Sequence, residues 1–133
     1  MTVALDPNTA LARGKALSEE VMPGLHEALD ARYSKYVPGL PDWLVSTVWG
    51  GVYARDGLDM KTRQLATLAA LTALGGQTRP QLKVHVGAAL EAGATPQEIS
   101  EVILQMALYG GFPAMVNALN AAIEVFVEKD VSP

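Results

Sequence analysis

Apolar residues recur three and four positions apart along most of this chain, the spacing that lines one face of a helix, and no stretch alternates apolar and polar residues for long. The pattern predicts an all-α protein of about six to seven helices. A first helical region runs from Ala10 to Val21 and a second from Leu25 to Tyr36, with Pro23-Gly24 between them. After "VPGLP" a third spans Pro41 to Ala54, placing Leu44, Val48 and Val52 on one side with Trp43 and Trp49 nearby. "RDGLD" closes it. Asp59 then stands where a carboxylate can cap a fourth helix that continues to Gly75-Gly76. A fifth runs from Pro80 to Ala92 and stops at Gly93. Thr95-Pro96-Gln97-Glu98 supplies a capping box with proline at the first helical position, opening a sixth helix to Tyr109. The last helix extends from Pro113 to Glu128.

Two of these helices have little polar surface. "LATLAALTALGG" in the fourth has no charged side, so it must be covered nearly all round, more than a lone chain of 133 residues can readily do. From Val102 to Ile123 there is no charged residue, a length that would suffice for a membrane span. "YGGFP" at residues 109–113 interrupts it, because glycine suits a helix end and proline a first turn. Two buried helices are expected there, not a membrane segment.

Length predicts one domain over residues 1–133. Half of the residues are apolar and 18% charged, a surplus for so small a globule that points to buried subunit contacts. The formal net charge of -4 argues against broad attraction to nucleic acid or an anionic membrane. An anionic small molecule would need a few converging cations. There is no cysteine, which removes disulfides, thiolate metal sites and thiol redox chemistry. The amino terminus lacks the basic start, apolar core and small-residue cleavage site of a secretory signal, so a cytoplasmic location is expected. Two histidines, far apart and without a carboxylate cluster, predict no metal site.

In "QLKVHVGAALEAG" the residues Leu82, Val86 and Ala89 form an inward stripe, and His85 lies on that same stripe. On spacing alone, a histidine there is more often a hydrogen-bonded core residue than a reactive one.

"VYARDGLDMKTRQL" followed by "QLKVHVGAALEAGATPQEISEVILQMALYGGFPAMVNAL" closely resembles the carboxymuconolactone decarboxylase family. The likeness runs from about Trp43 to Val127, leaving residues 1–40 as a helical extension. It implies an AhpD-like bundle of packed helical hairpins that forms ring-like homo-oligomers, commonly hexamers built as a trimer of dimers. Thiol-dependent members carry Cys-x-x-Cys followed four residues later by histidine. Counting back from His85 puts Thr78 and Gln81 in the cysteine places, and neither forms a thiolate, which excludes thiol peroxidase activity. The other branch, by this resemblance, decarboxylates 4-carboxymuconolactone to the β-ketoadipate enol-lactone in protocatechuate catabolism, without a cofactor. The departing carboxylate leaves electrons that spread through the unsaturated ring to the lactone carbonyl. Such a reaction needs anchors for a dianion, a donor facing the oxyanion and an acid for carbon.

The resemblance makes His85 the candidate acid or donor, since imidazole exchanges protons near neutrality. Glu101 is expected to orient that ring or relay its proton from a semi-buried polar strip shared with Gln105 and Tyr109. Arg63, and with less support Arg55, are the candidate carboxylate anchors, because guanidinium matches a carboxylate in plane. Trp49 and Tyr109 are candidate pocket walls. Each has a plainer alternative: a solvated face for Glu101, a salt bridge for Arg63, a loop charge for Arg55, core packing for the aromatics. The functional alternatives are a lyase or isomerase for another unsaturated carboxylate, and an oligomeric binding protein without catalysis.

Overall fold

The computed structural model describes residues 8–133 and is helical, with no strand among the described residues. It divides into two compact units, Met1–Gly57 and Leu58–Pro133.

In the first unit, α1 (Ala10–Val21) begins at Thr9, whose hydroxyl accepts from the Ala12 N–H at 3.1 Å. α2 (Leu25–Tyr33) stops three residues before the expected Tyr36. Residues 34–37 turn instead, because the residue preceding Pro38 is pushed out of the helical region. The expected third helix is two elements. α3 (Leu40–Leu44) passes into a π-helix, Val45–Tyr53, whose wider turns end with the Ala54 N–H donating to the Trp49 carbonyl at 3.0 Å. Nine residues are too few for a hydrophobic pattern to separate a π-helix from an α-helix. α1 lies along this π-helix at backbone distance: a Cβ on Gly14 would collide with the Val45 carbonyl, and one on Gly50 with the Ala10 carbonyl. Trp49 is buried and meets Tyr53 edge to face at 4.9 Å. His26 Nε2 lies 2.7 Å from Asp42 Oδ1, tying α2 to α3.

The second unit is built on the hairpin of α4 (Met60–Leu74) and α5 (Arg79–Glu91). Asp59 caps α4 as expected, accepting from the Thr62 N–H at 2.8 Å. A 3₁₀ turn, Gly76–Thr78, joins the two, pinned by the Thr78 hydroxyl donating to the Leu71 carbonyl at 2.6 Å. α5 ends at Gly93, whose φ of 97° favours glycine. The Thr95–Glu98 capping box is formed on both sides and opens α6 (Pro96–Gln105).

The expected sixth helix breaks at Met106 into α6 and a short α7 (Ala107–Gly110). Gly110 packs on α4, where an added Cβ would stand 2.8 Å from Ala73 Cα. Gly111, at φ 94°, then turns the chain into α8 (Phe112–Glu128). α8 covers α5 and α6, and Leu68, Leu82, Val86, Ile99, Ile103 and Phe126 meet in the core. Arg79 and Lys83 reach across to Glu124, and Lys83 also to Glu128, along the α5–α8 edge. α4 buries Gln64, Leu68 and Thr72 but leaves Ala66, Ala70, Ala73 and Leu74 exposed, so its expected cover is incomplete within the chain. Among the described residues no helix is long and apolar enough to cross a membrane.

Candidate active site

α5 presents Leu82, Val86 and Ala89 to the core, and one turn along the same face it carries His85, half-buried. Opposite it on α4 is Gln64, fully buried, on the stripe shared with Leu68 and Thr72. The two side chains meet: His85 Nδ1 lies 2.8 Å from Gln64 Oε1. The other end of the amide reaches back one turn, with Gln64 Nε2 3.5 Å from the Met60 sulfur. Burial penalises the charged imidazolium and holds the His85 pKa below its ordinary value of 6.5. Burial thus favours the uncharged form of the ring.

Gln64 was not among the residues expected from sequence. Its signal was there: a polar side chain on an apolar stripe, the same anomaly that singles out His85. Which polar residues on two separate helices face each other is a tertiary fact that neither helix's pattern contains.

Arg63 precedes Gln64 on α4; it is half-buried, and its Nε is shielded from solvent. The Thr67 hydroxyl donates to its carbonyl at 2.9 Å, stiffening that turn. Glu101 stands on the outer face of α6, exposed where a semi-buried seam was expected, because the inner face is taken by Ile99 and Ile103. Its neighbour Glu98 is bound up in the capping box and in a 2.8 Å pair with Lys61, which together hold its carboxyl below the usual range. Tyr109 on α7 is 75% exposed. Glu101 shares a surface groove of about 440 Å³ with Val102, Leu104, Gln105, Leu108 and Phe112. A second groove of about 290 Å³ runs between α4 and α6 over Leu65, Ala69, Val102 and Gln105. A third, about 250 Å³, lies at the start of α5 beside Arg79, Leu82 and Asn117. His85 lines none of these three.

Trp49 and Arg55 belong to the first unit, Trp49 in its core and Arg55 exposed just after the π-helix. The structure thus brings His85 together with Gln64, places Arg63 next to Gln64 in the chain, and sets Glu101 and Tyr109 on an outer face. Among the described residues no three His, Asp or Glu side chains gather as a metal would require.

Residues 38–124 match the carboxymuconolactone decarboxylase family, and the chain belongs to that family. It is 42% identical over 121 residues to an uncharacterized 15.0 kDa protein from the nqo9-nqo10 intergenic region of Paracoccus denitrificans, covering 90% of each chain. It is 41% identical over 85 residues to 4-carboxymuconolactone decarboxylase of Acinetobacter baylyi, covering 64% of this chain and 62% of the relative. Over 71 residues it is 38% identical to nitrosuccinic acid decarboxylase npaB of Metarhizium robertsii, covering 53% of this chain and 48% of that one.

Proposed function

We propose that this protein is a cofactor-free carboxy-lyase that converts 4-carboxymuconolactone to the β-ketoadipate enol-lactone and carbon dioxide, working as a cytoplasmic homo-oligomer. The observation that carries this reading is the half-buried His85, bonded to Gln64 on the α4–α5 hairpin, within the family-matched segment of a chain without cysteine. Two relatives named as decarboxylases support the reaction class.

The chemistry balances without a cofactor. The bond between the ring carbon and its carboxylate breaks, carbon dioxide leaves, and the electron pair moves through the ring double bond onto the lactone carbonyl oxygen. His85 first takes a solvent proton onto Nε2, and the resulting enolate collapses as this imidazolium gives that proton to the carbon next to the lactone carbonyl, which becomes a CH2 group, returning His85 to the neutral ring. Burial makes the imidazolium a readier proton donor than it is in water. Arg63, which precedes Gln64 on α4, anchors a substrate carboxylate.

Exposed apolar residues support the proposed assembly. Leu104, Leu108, Tyr109, Phe112 and Val116 are 46% to 78% exposed within thirteen residues, and Leu104, Leu108 and Phe112 line one groove. A second copy of the chain, in a hexamer, covers it.

The test is direct. Incubate the protein with 4-carboxymuconolactone, follow loss of the lactone acid and release of carbon dioxide, and compare His85→Ala in the same assembly state. Turnover that disappears on substitution is expected; an inactive native protein, or an active His85→Ala, overturns the reading. The relative named nitrosuccinic acid decarboxylase favours a second reading, decarboxylation of a different acid by the same histidine. It predicts carbon dioxide from that acid and none from the lactone.

A further inference from the structure

We propose that Gln64 is the positioning residue of His85: by accepting from Nδ1–H, it fixes the imidazole in its Nδ1–H tautomer. Any proton His85 passes to substrate is then carried on Nε2.

The two ends of the Gln64 amide face different partners. An amide seen as a heavy-atom outline does not say which end is oxygen, so its neighbours must decide. Here one end lies 2.8 Å from His85 Nδ1 and the other 3.5 Å from the Met60 sulfur. A thioether has lone pairs and no proton, so only the NH2 end gains by facing Met60, while an oxygen there would set lone pair against lone pair. The oxygen therefore faces the ring, and Nδ1 must carry the hydrogen that it accepts. Gln64 is fully buried, so water does not compete for that oxygen.

An amide in this place does what a carboxylate does not. It orients the ring without adding negative charge, so the depressed basicity of His85 survives. It also accepts equally well when the ring is protonated, because imidazolium has a hydrogen on both nitrogens. The same hydrogen bond thus holds the ring through loss and recovery of the Nε2 proton. A solvated histidine side chain prefers the opposite tautomer, with the hydrogen on Nε2, so the lock is a measurable departure.

The tautomer rests on the contact alone; its catalytic consequence rests on the function proposed above, and the experiment separates the two. Histidine-labelled protein is measured by long-range ¹H–¹⁵N correlation above the titration range of His85, with His85→Ala assigning the signals and His26 as internal comparison. A pyrrole-like Nδ1 and a pyridine-like Nε2 on His85 are expected. A pyrrole-like Nε2, or two averaged nitrogens, overturns the proposal on the native protein, whether or not any variant folds. In Gln64→Leu the pattern is expected to move toward Nε2–H, and in Gln64→Glu to keep Nδ1–H; a leucine variant that retains the native pattern also overturns it. With 4-carboxymuconolactone, Gln64→Leu is expected to lower kcat by roughly tenfold or more with little change in KM, as loss of an orienting partner does. If the native protein shows the tautomer but no turnover, the proposed function falls and the positioning role stands.

Discussion

Replacing Gln64 with leucine keeps the volume of the side chain nearly constant and deletes its acceptor. The native hydrogen bond contributes about 0.5–1.5 kcal/mol net, and its loss leaves Nδ1 of a half-buried ring facing hydrocarbon in either tautomer, a cost of about 1–3 kcal/mol. Burial of leucine in place of an amide at a fully buried position recovers part of that, so Gln64→Leu is expected to cost about 1–3 kcal/mol. His85→Leu strands the Gln64 oxygen in the same way and is expected to cost roughly 1–2 kcal/mol, less because the ring is partly solvated in the native protein. In the double variant neither polar group is left behind. It should therefore be more stable than the sum of the single costs implies, by about 1–2 kcal/mol. Urea unfolding of the four proteins at pH 7.5 measures this cycle, at one fixed protein concentration because self-association shifts apparent stability. Costs that add to within about 0.5 kcal/mol would mean that the two side chains do not exchange a hydrogen bond, and would refute the reasoning.

Acid should weaken the fold through His85. Its pKa is lower in the folded chain than in the unfolded one, so the unfolded chain takes up the proton first; the contribution is intact above pH 6.5 and is lost as the pH falls through the lowered value. The urea midpoint should drop across that window in the native protein and less in His85→Gln; equal slopes would contradict this. Thr95→Ala removes one side of the capping box and should cost about 1 kcal/mol, read as a lower urea midpoint with an unchanged slope. Leu108→Glu with Phe112→Glu, at positions 78% and 69% exposed, should leave folding intact and reduce the mass measured by light scattering to that of one chain. An unchanged mass would show that this face is not where copies meet.

What was legible in the sequence follows from how local each cause is. α1 and α4 begin and end where their spacing and caps place them, and the Thr95–Glu98 box formed as its four residues dictate. The π-helix did not show itself, because Trp49 and Tyr53 are four residues apart and fit one face in either helix type. The break at Met106 was equally hidden: it depends on Gly110 settling against Ala73, a contact between residues far apart in sequence. At the candidate site the same division holds. His85 declared itself as a polar group on an apolar stripe, but the partner on Nδ1 is Gln64 across the hairpin. Glu101, read as semi-buried from its polar neighbours, turned outward because Ile99 and Ile103 claim the inner face of α6.

If His85 delivers the proton to carbon, decarboxylation run in D2O will record it in the product. An acid fixed on one face of the enolate must place deuterium on one side of the new CH2 group, so the enol-lactone quenched early should carry a single deuterium of one configuration. Deuterium spread equally over both configurations would mean that solvent, not His85, protonates the product.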